Sequence, residues 1–77
     1  MPRLPVISGD RFAKVMRRAG YEIDHISGSH MILINASRHR ISVPRHKELD
    51  RGLLHDLIGD AGLNRDKFLS LLKGKIQ

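Results

Sequence analysis

Residues 27–44 read SGSHMILINASRHRISVP, and the order of turn-forming and apolar residues in this stretch decides the fold class. Ser27-Gly28-Ser29 has the composition of a tight turn. His30-Met31-Ile32-Leu33-Ile34-Asn35 is a run of β-formers closed by the polar connection Ala36-Ser37-Arg38. Arg40-Ile41-Ser42-Val43 follows and stops at Pro44, which has no N–H with which to continue a ladder. Two strands separated by so short a connection pair antiparallel. Side chains alternate along a strand, so Ile32 and Ile34 are expected to share a face with Ile41 and Val43 and to form the surface onto which helices pack. Met31 and Leu33 then point the other way, where a partner chain or a helix of this same chain would cover them.

Toward the N-terminus, Tyr21 and Ile23 alternate with Glu22 and Asp24 ahead of the Ser27 turn, which adds a first strand and completes a three-stranded meander. Before it, Phe12, Val15, Met16 and Ala19 recur at helical spacing behind Ser8, a suitable N-cap. The spacing predicts a helix from Gly9 to Ala19 that stops at Gly20, with Arg11, Lys14, Arg17 and Arg18 on its outer side. Toward the C-terminus, Asp50 caps a helix carrying Leu53, Leu54, Leu57, Ile58 and Ala61, which ends at Gly62. Asn64 caps a short last helix with Phe68, Leu69, Leu71 and Leu72. The expected class is therefore α+β: a three-stranded antiparallel sheet with helices on one face, in the order α-β-β-β-α plus a short C-terminal helix. That order is the one seen in double-stranded RNA-binding domains, an analogy of fold that does not by itself assign a function. No repeat or linker divides residues 1–77, so one domain is expected.

Seventy-seven residues give a thin core, burying only about 60% of the unfolded surface, and the absence of cysteine rules out a disulfide or Cys-based zinc staple. A protein partner, or self-association as a homodimer, is a natural source of extra stability. The start Met1-Pro2-Arg3-Leu4-Pro5 has no apolar leader, and the longest aliphatic run, Met31 to Ile34, is far too short to span a bilayer. The expected compartment is the cytoplasm, with no membrane partner. Fourteen Lys and Arg against eight Asp and Glu leave a net charge of +6, a surface that attracts polyanions.

Several stretches follow one another in a set order: Leu4-Pro5-Val6-Ile7-Ser8-Gly9, Ala19-Gly20-Tyr21, Gly28-Ser29-His30, Val43-Pro44 with His46 and Glu48-Leu49, Arg51-Gly52-Leu53, Ala61-Gly62-Leu63 and Phe68-Leu69. Together they resemble the HicA toxin family. The likeness covers nearly the whole chain. It departs at Leu53, where the family commonly has Thr, and at Asn35-Ala36-Ser37, where a His-Pro-Asp-Gly-like turn is frequent. The resemblance implies metal-independent cleavage of messenger RNA, arrest of translation, and neutralisation by a HicB-like antitoxin, with no cofactor. It also implies that the catalytic residue is the histidine of the Gly-Ser-His motif, here His30.

Chemistry agrees with that assignment. Cleaving RNA without a metal requires a group that takes the proton of a ribose 2′-hydroxyl and a group that protonates the leaving 5′-oxygen. An imidazole, with an ordinary pKa of about 6.5, can do either near neutral pH. Gly28 would let the backbone approach a phosphate, and Ser29 could donate a hydroxyl hydrogen bond to it. Arg38, Arg40, Arg45 and Lys47 are candidates to stabilise charge on the phosphorus centre. Arg11, Lys14 and Arg18 on the first helix are candidate phosphate contacts.

Other classes fit less of the chain. The second helix, the Ala61-Gly62-Leu63 turn and the Asn64-Arg65-Asp66-Lys67 helix start resemble a helix-turn-helix, which would set Asn64, Arg65 and Lys67 against DNA bases, yet the last helix is short and largely apolar. A non-catalytic duplex-RNA binder of the same fold would want a lysine cluster near Arg51-Gly52-Leu53-Leu54-His55, which is absent. Only Phe12, Tyr21 and Phe68 are available to stack bases. His25, His39, His46 and His55 read as surface or packing residues, and no histidine pair has the spacing of a helical metal site. A Gly-x-Ser-x-Gly elbow for Ser-His-Asp chemistry is also missing.

Overall fold

A computed structural model of the chain describes residues 4–74; residues 1–3 and 75–77, at the two ends of the expected domain, lie outside the described residues. Helix α1 (Gly9–Arg18) begins where Ser8 Oγ accepts the Arg11 N–H at 3.0 Å, satisfying one of the orphan donors of a helix start. Asp10 in its first turn and Arg17 and Arg18 in its last complement the helix dipole. Gly20, at φ 95°, reverses the chain into the sheet. Strands β1 (Glu22–Ser27), β2 (His30–Ile34) and β3 (Arg40–Pro44) then form an antiparallel meander in sequence order. Helix α2 (Arg51–Asp60) starts on Asp50, whose Oδ1 accepts the Leu53 N–H at 2.8 Å, and α3 (Arg65–Leu72) starts on Asn64, whose Oδ1 accepts the Lys67 N–H at 2.8 Å. All three expected caps are in place. Helices α1 and α2 lie against the sheet, and α3 packs on both of them.

The faces of β2 are the reverse of the expectation. Met31 lies opposite Val43 and Leu33 opposite Ile41, and these four side chains form the buried floor of the core, covered by helices of the same chain. Ile32 and Ile34 are half-buried on the open face, beside Ser42 and Arg40. The reason is register. Directly opposed residues of an antiparallel pair share a face, and a shift of one residue exchanges the two faces. Both faces of β2 are apolar, so its composition does not choose between them. The choice is made by the β2–β3 turn, closed by the Asn35 N–H donating to the His39 carbonyl at 3.1 Å and the Arg38 N–H donating to the Asn35 carbonyl at 2.9 Å. Asn35 Oδ1 also accepts the His39 N–H at 2.9 Å.

Strand β1 departs from simple alternation too. Ile23 pairs with Leu33 but His25 pairs with Ile32, so Asp24 is an extra residue, a β-bulge. The bulge puts Ile23 and Ile26 on the helix side of the sheet, where at the free edge they remain 46% and 51% exposed. Tyr21, by contrast, is buried; its hydroxyl donates to the Ala61 carbonyl at 3.3 Å, and burial pushes its pKa up, offset in part by a side-chain hydrogen bond with Asn35. At the centre of the core the rings of Phe12 and Phe68 stack with centroids 5.7 Å apart, joining α1 to α3. An isolated bridge between Ile7 and Leu49 ties the segment before α1 to the segment before α2.

Candidate functional site

The β1–β2 hairpin turns through Gly28 and Ser29, and Gly28 adopts φ 59°, a conformation that disfavours any side chain. The next residue, His30, opens β2 between Ser27 of β1 and Pro44 of β3. It is exposed, and because Met31 faces the helices, His30 belongs to the open face. One step beyond Pro44, the Arg45 N–H donates to the Ser29 carbonyl at 2.8 Å, so β3 remains zipped to the hairpin past its last residue. That bond brings the segment Arg45-His46-Lys47, all exposed, to the end of the sheet that carries His30.

The start of α1 arrives at the same place. The Gly9 N–H donates to the His46 carbonyl at 2.9 Å, and the Gly9 α-carbon presses on Pro44 so closely that a Cβ would lie 2.0 Å from its carbonyl oxygen. Arg45 Nε donates to Asp10 Oδ1 at 3.3 Å, a pair with both side chains substantially exposed. Hairpin, α1 start and β3 exit thus converge on one corner that holds His30, Gly28, Ser29, Arg45, His46 and Lys47. Lys14, one turn further along α1, lines a groove with Arg45.

The other candidates are elsewhere. Arg40 is opposite Ile34, four residues along β2 from His30, or about 13 Å at the usual strand rise. Arg38 occupies the β2–β3 turn with φ 67° at that same far end. Their local partner is Asp24, which lies 3.9 Å from Arg40 and 2.8 Å from His25 Nδ1. The hydrogen bond from His25 holds the Asp24 carboxyl below its ordinary pKa; burial opposes it, and the charges of Arg40, His25 and Arg38 add to the lowering. Arg18 is used structurally: its Nη1 donates to the Leu71 carbonyl at 2.6 Å and fastens α1 to the end of α3. Arg11 is exposed on α1, with its backbone N–H held by Ser8.

Two residues of the corner escape sequence reasoning. His46 reads there as a surface or packing histidine, and Asp10 is given no role. The missing signal is the hairpin register, which alone says that the residues after Pro44 return to the turn before His30. Helix α3 is accounted for by packing. Phe68 and Leu71 are buried and the Asn64 side chain is engaged as a cap, while Lys67 is exposed and Arg65 half-buried. Among the described residues no group of three or more histidines and carboxylates is placed to hold a metal ion, and no helix is long and apolar enough to cross a membrane.

What the corner offers chemically is an accessible imidazole with a guanidinium and an ammonium on the adjoining segment, the combination needed to move protons beside a bound phosphate. A family model described as the HicA toxin of bacterial toxin-antitoxin matches residues 9–63, which takes in α1, the whole sheet and α2. No curated protein matches the chain.

Proposed function

Because this chain belongs to the HicA toxin family of bacterial toxin-antitoxin systems, we propose that it is a metal-independent endoribonuclease that cleaves messenger RNA and arrests translation in the cytoplasm, with His30 as its catalytic residue and a HicB-like antitoxin as its natural inhibitor. The observation that carries this reading is the exposure of His30 on the open sheet face, at the corner where the Arg45 backbone is bonded to Ser29.

In the reaction the ribose 2′-oxygen attacks the adjacent phosphorus and gives its proton to a base. The bond from phosphorus to the 5′-oxygen breaks, and that oxygen leaves with a proton. A 2′,3′-cyclic phosphate and a 5′-hydroxyl result. His30 serves as base or acid in this exchange, while Arg45 and Lys47 stabilise the extra negative charge that builds on the phosphorus oxygens. The hairpin at Gly28 leaves room for the backbone of the strand being cut. Lys14 and Arg11 bind flanking phosphates; Arg38 and Arg40, at the opposite end of the sheet, hold RNA further along its course.

The test uses purified wild-type and His30→Ala protein with a transcript of defined sequence. Loss of general acid–base catalysis lowers the cleavage rate by roughly 10²–10⁴-fold, and the wild-type fragments carry cyclic-phosphate ends by mass spectrometry. Equal cleavage by a folded His30→Ala protein would remove His30 from the mechanism.

A further inference from the structure

We propose that the groove between α1 and β1 is the docking surface for a partner protein that brings an acidic segment with aliphatic anchors. The groove has a volume of about 280 Å³ and is floored by Ile23, Ile26, Met31 and Ala13. Its rim carries three cations, Lys14, Arg17 and Arg45, against one carboxylate, Asp10, which already accepts a hydrogen bond from Arg45. Ile23 and Ile26 are two of the largest exposed apolar side chains of the described residues, and they sit side by side only because the bulge at Asp24 returns Ile26 to the helix side. An aliphatic floor under a basic rim is complementary to a protein segment that alternates apolar and acidic residues.

The same features count against the other occupants. An RNA strand would find phosphate contacts but no aromatic side chain among the lining residues on which to stack its bases. A second copy of this chain would set one rim of cations against another, and the bulge at Asp24 interrupts the edge along which two β1 strands would pair.

Docking here has a consequence that rests on the reading of His30 as catalytic. Arg45 belongs both to the groove rim and to the His30 corner, so a partner carboxylate that draws Arg45 from Asp10 withdraws a cation from the site and sets bulk beside the hairpin. The partner would silence the enzyme without touching the imidazole.

The experiment titrates the full chain with a HicB-like antitoxin, by calorimetry, at low and high salt. Ile26→Glu and Arg17→Glu, each checked for native circular dichroism, are expected to weaken binding by about tenfold or more, and added salt is expected to weaken wild-type binding. Ile26→Glu alone should still cut RNA, yet escape inhibition. Unchanged antitoxin affinity in both folded variants overturns the proposal. So does loss of oligouridylate binding in Ile26→Glu with antitoxin binding intact, which makes the groove an RNA site, and so does a dimer of the chain alone that Ile26→Glu splits. Binding is read without catalysis, so failure of the ribonuclease reading would show separately, as wild-type protein that leaves RNA uncut.

Discussion

Gly9 is the residue at which the site and the fold depend on the same atom. It sits at the first position of α1, where replacing glycine by alanine would ordinarily favour the helix by at most about 1 kcal/mol. Here an added Cβ would lie 2.0 Å from the Pro44 carbonyl oxygen, and the obstacle is backbone that cannot swing aside. Overpacking of that kind costs roughly 1–3 kcal/mol, so the clash outweighs the propensity gain. Gly9→Ala is therefore expected to lower the melting temperature by about 5–10 °C, measured by circular dichroism, and to loosen the corner that holds Arg45 and His46. A variant as stable as wild type would show that this close approach is not required. The sequence displays Gly9 behind a capping serine but not what it touches, because the contact joins residues 35 positions apart.

At the scale of elements, helix starts are legible and strand faces are not. Ser8, Asp50 and Asn64 each accept the N–H three residues ahead, as expected from residue type alone, because capping is a contact within one turn of chain. Helix α2 has no acidic residue in its first turn and no basic residue in its last, so the Asp50 cap carries most of its terminal stabilisation. Asp50→Ala should cost about 1 kcal/mol, whereas His55→Ala on the exposed side of α2 should stay within about 0.5 kcal/mol. Urea titration of the two variants checks the ranking, and equal midpoints would remove the cap from the account. Strand β2 behaves differently. Met31, Ile32, Leu33 and Ile34 present apolar side chains in both directions, so the alternation that orients a half-polar strand carries no information there.

Over the whole molecule the net charge of +6 matters through its distribution. The sheet separates the cations into two groups, Arg45 and Lys47 at the His30 end and Arg38 and Arg40 at the other, the latter neutralised in part by Asp24. Removing one cation that pairs with a phosphate of single-stranded RNA reduces the salt slope of binding by about 0.7. Arg45→Gln is expected to show most of that reduction and to slow cleavage, while Arg38→Gln shows less and leaves the rate at saturating RNA nearly unchanged. Fluorescence anisotropy over a salt series, paired with single-turnover rates, reads both. The reverse ranking would shift the reacting phosphate to the far end of the sheet.

Elements whose signals lie within a few residues were determined by the sequence: three capped helices, three strands, their order, the glycine turns, and a histidine set just after a Gly-Ser bend. Tertiary structure decided which face of β2 is inside, the bulge that exposes Ile23 and Ile26, and which basic residues stand near His30. Those outcomes turn on strand register, and register is fixed by pairing between distant residues that no local stretch of the chain contains.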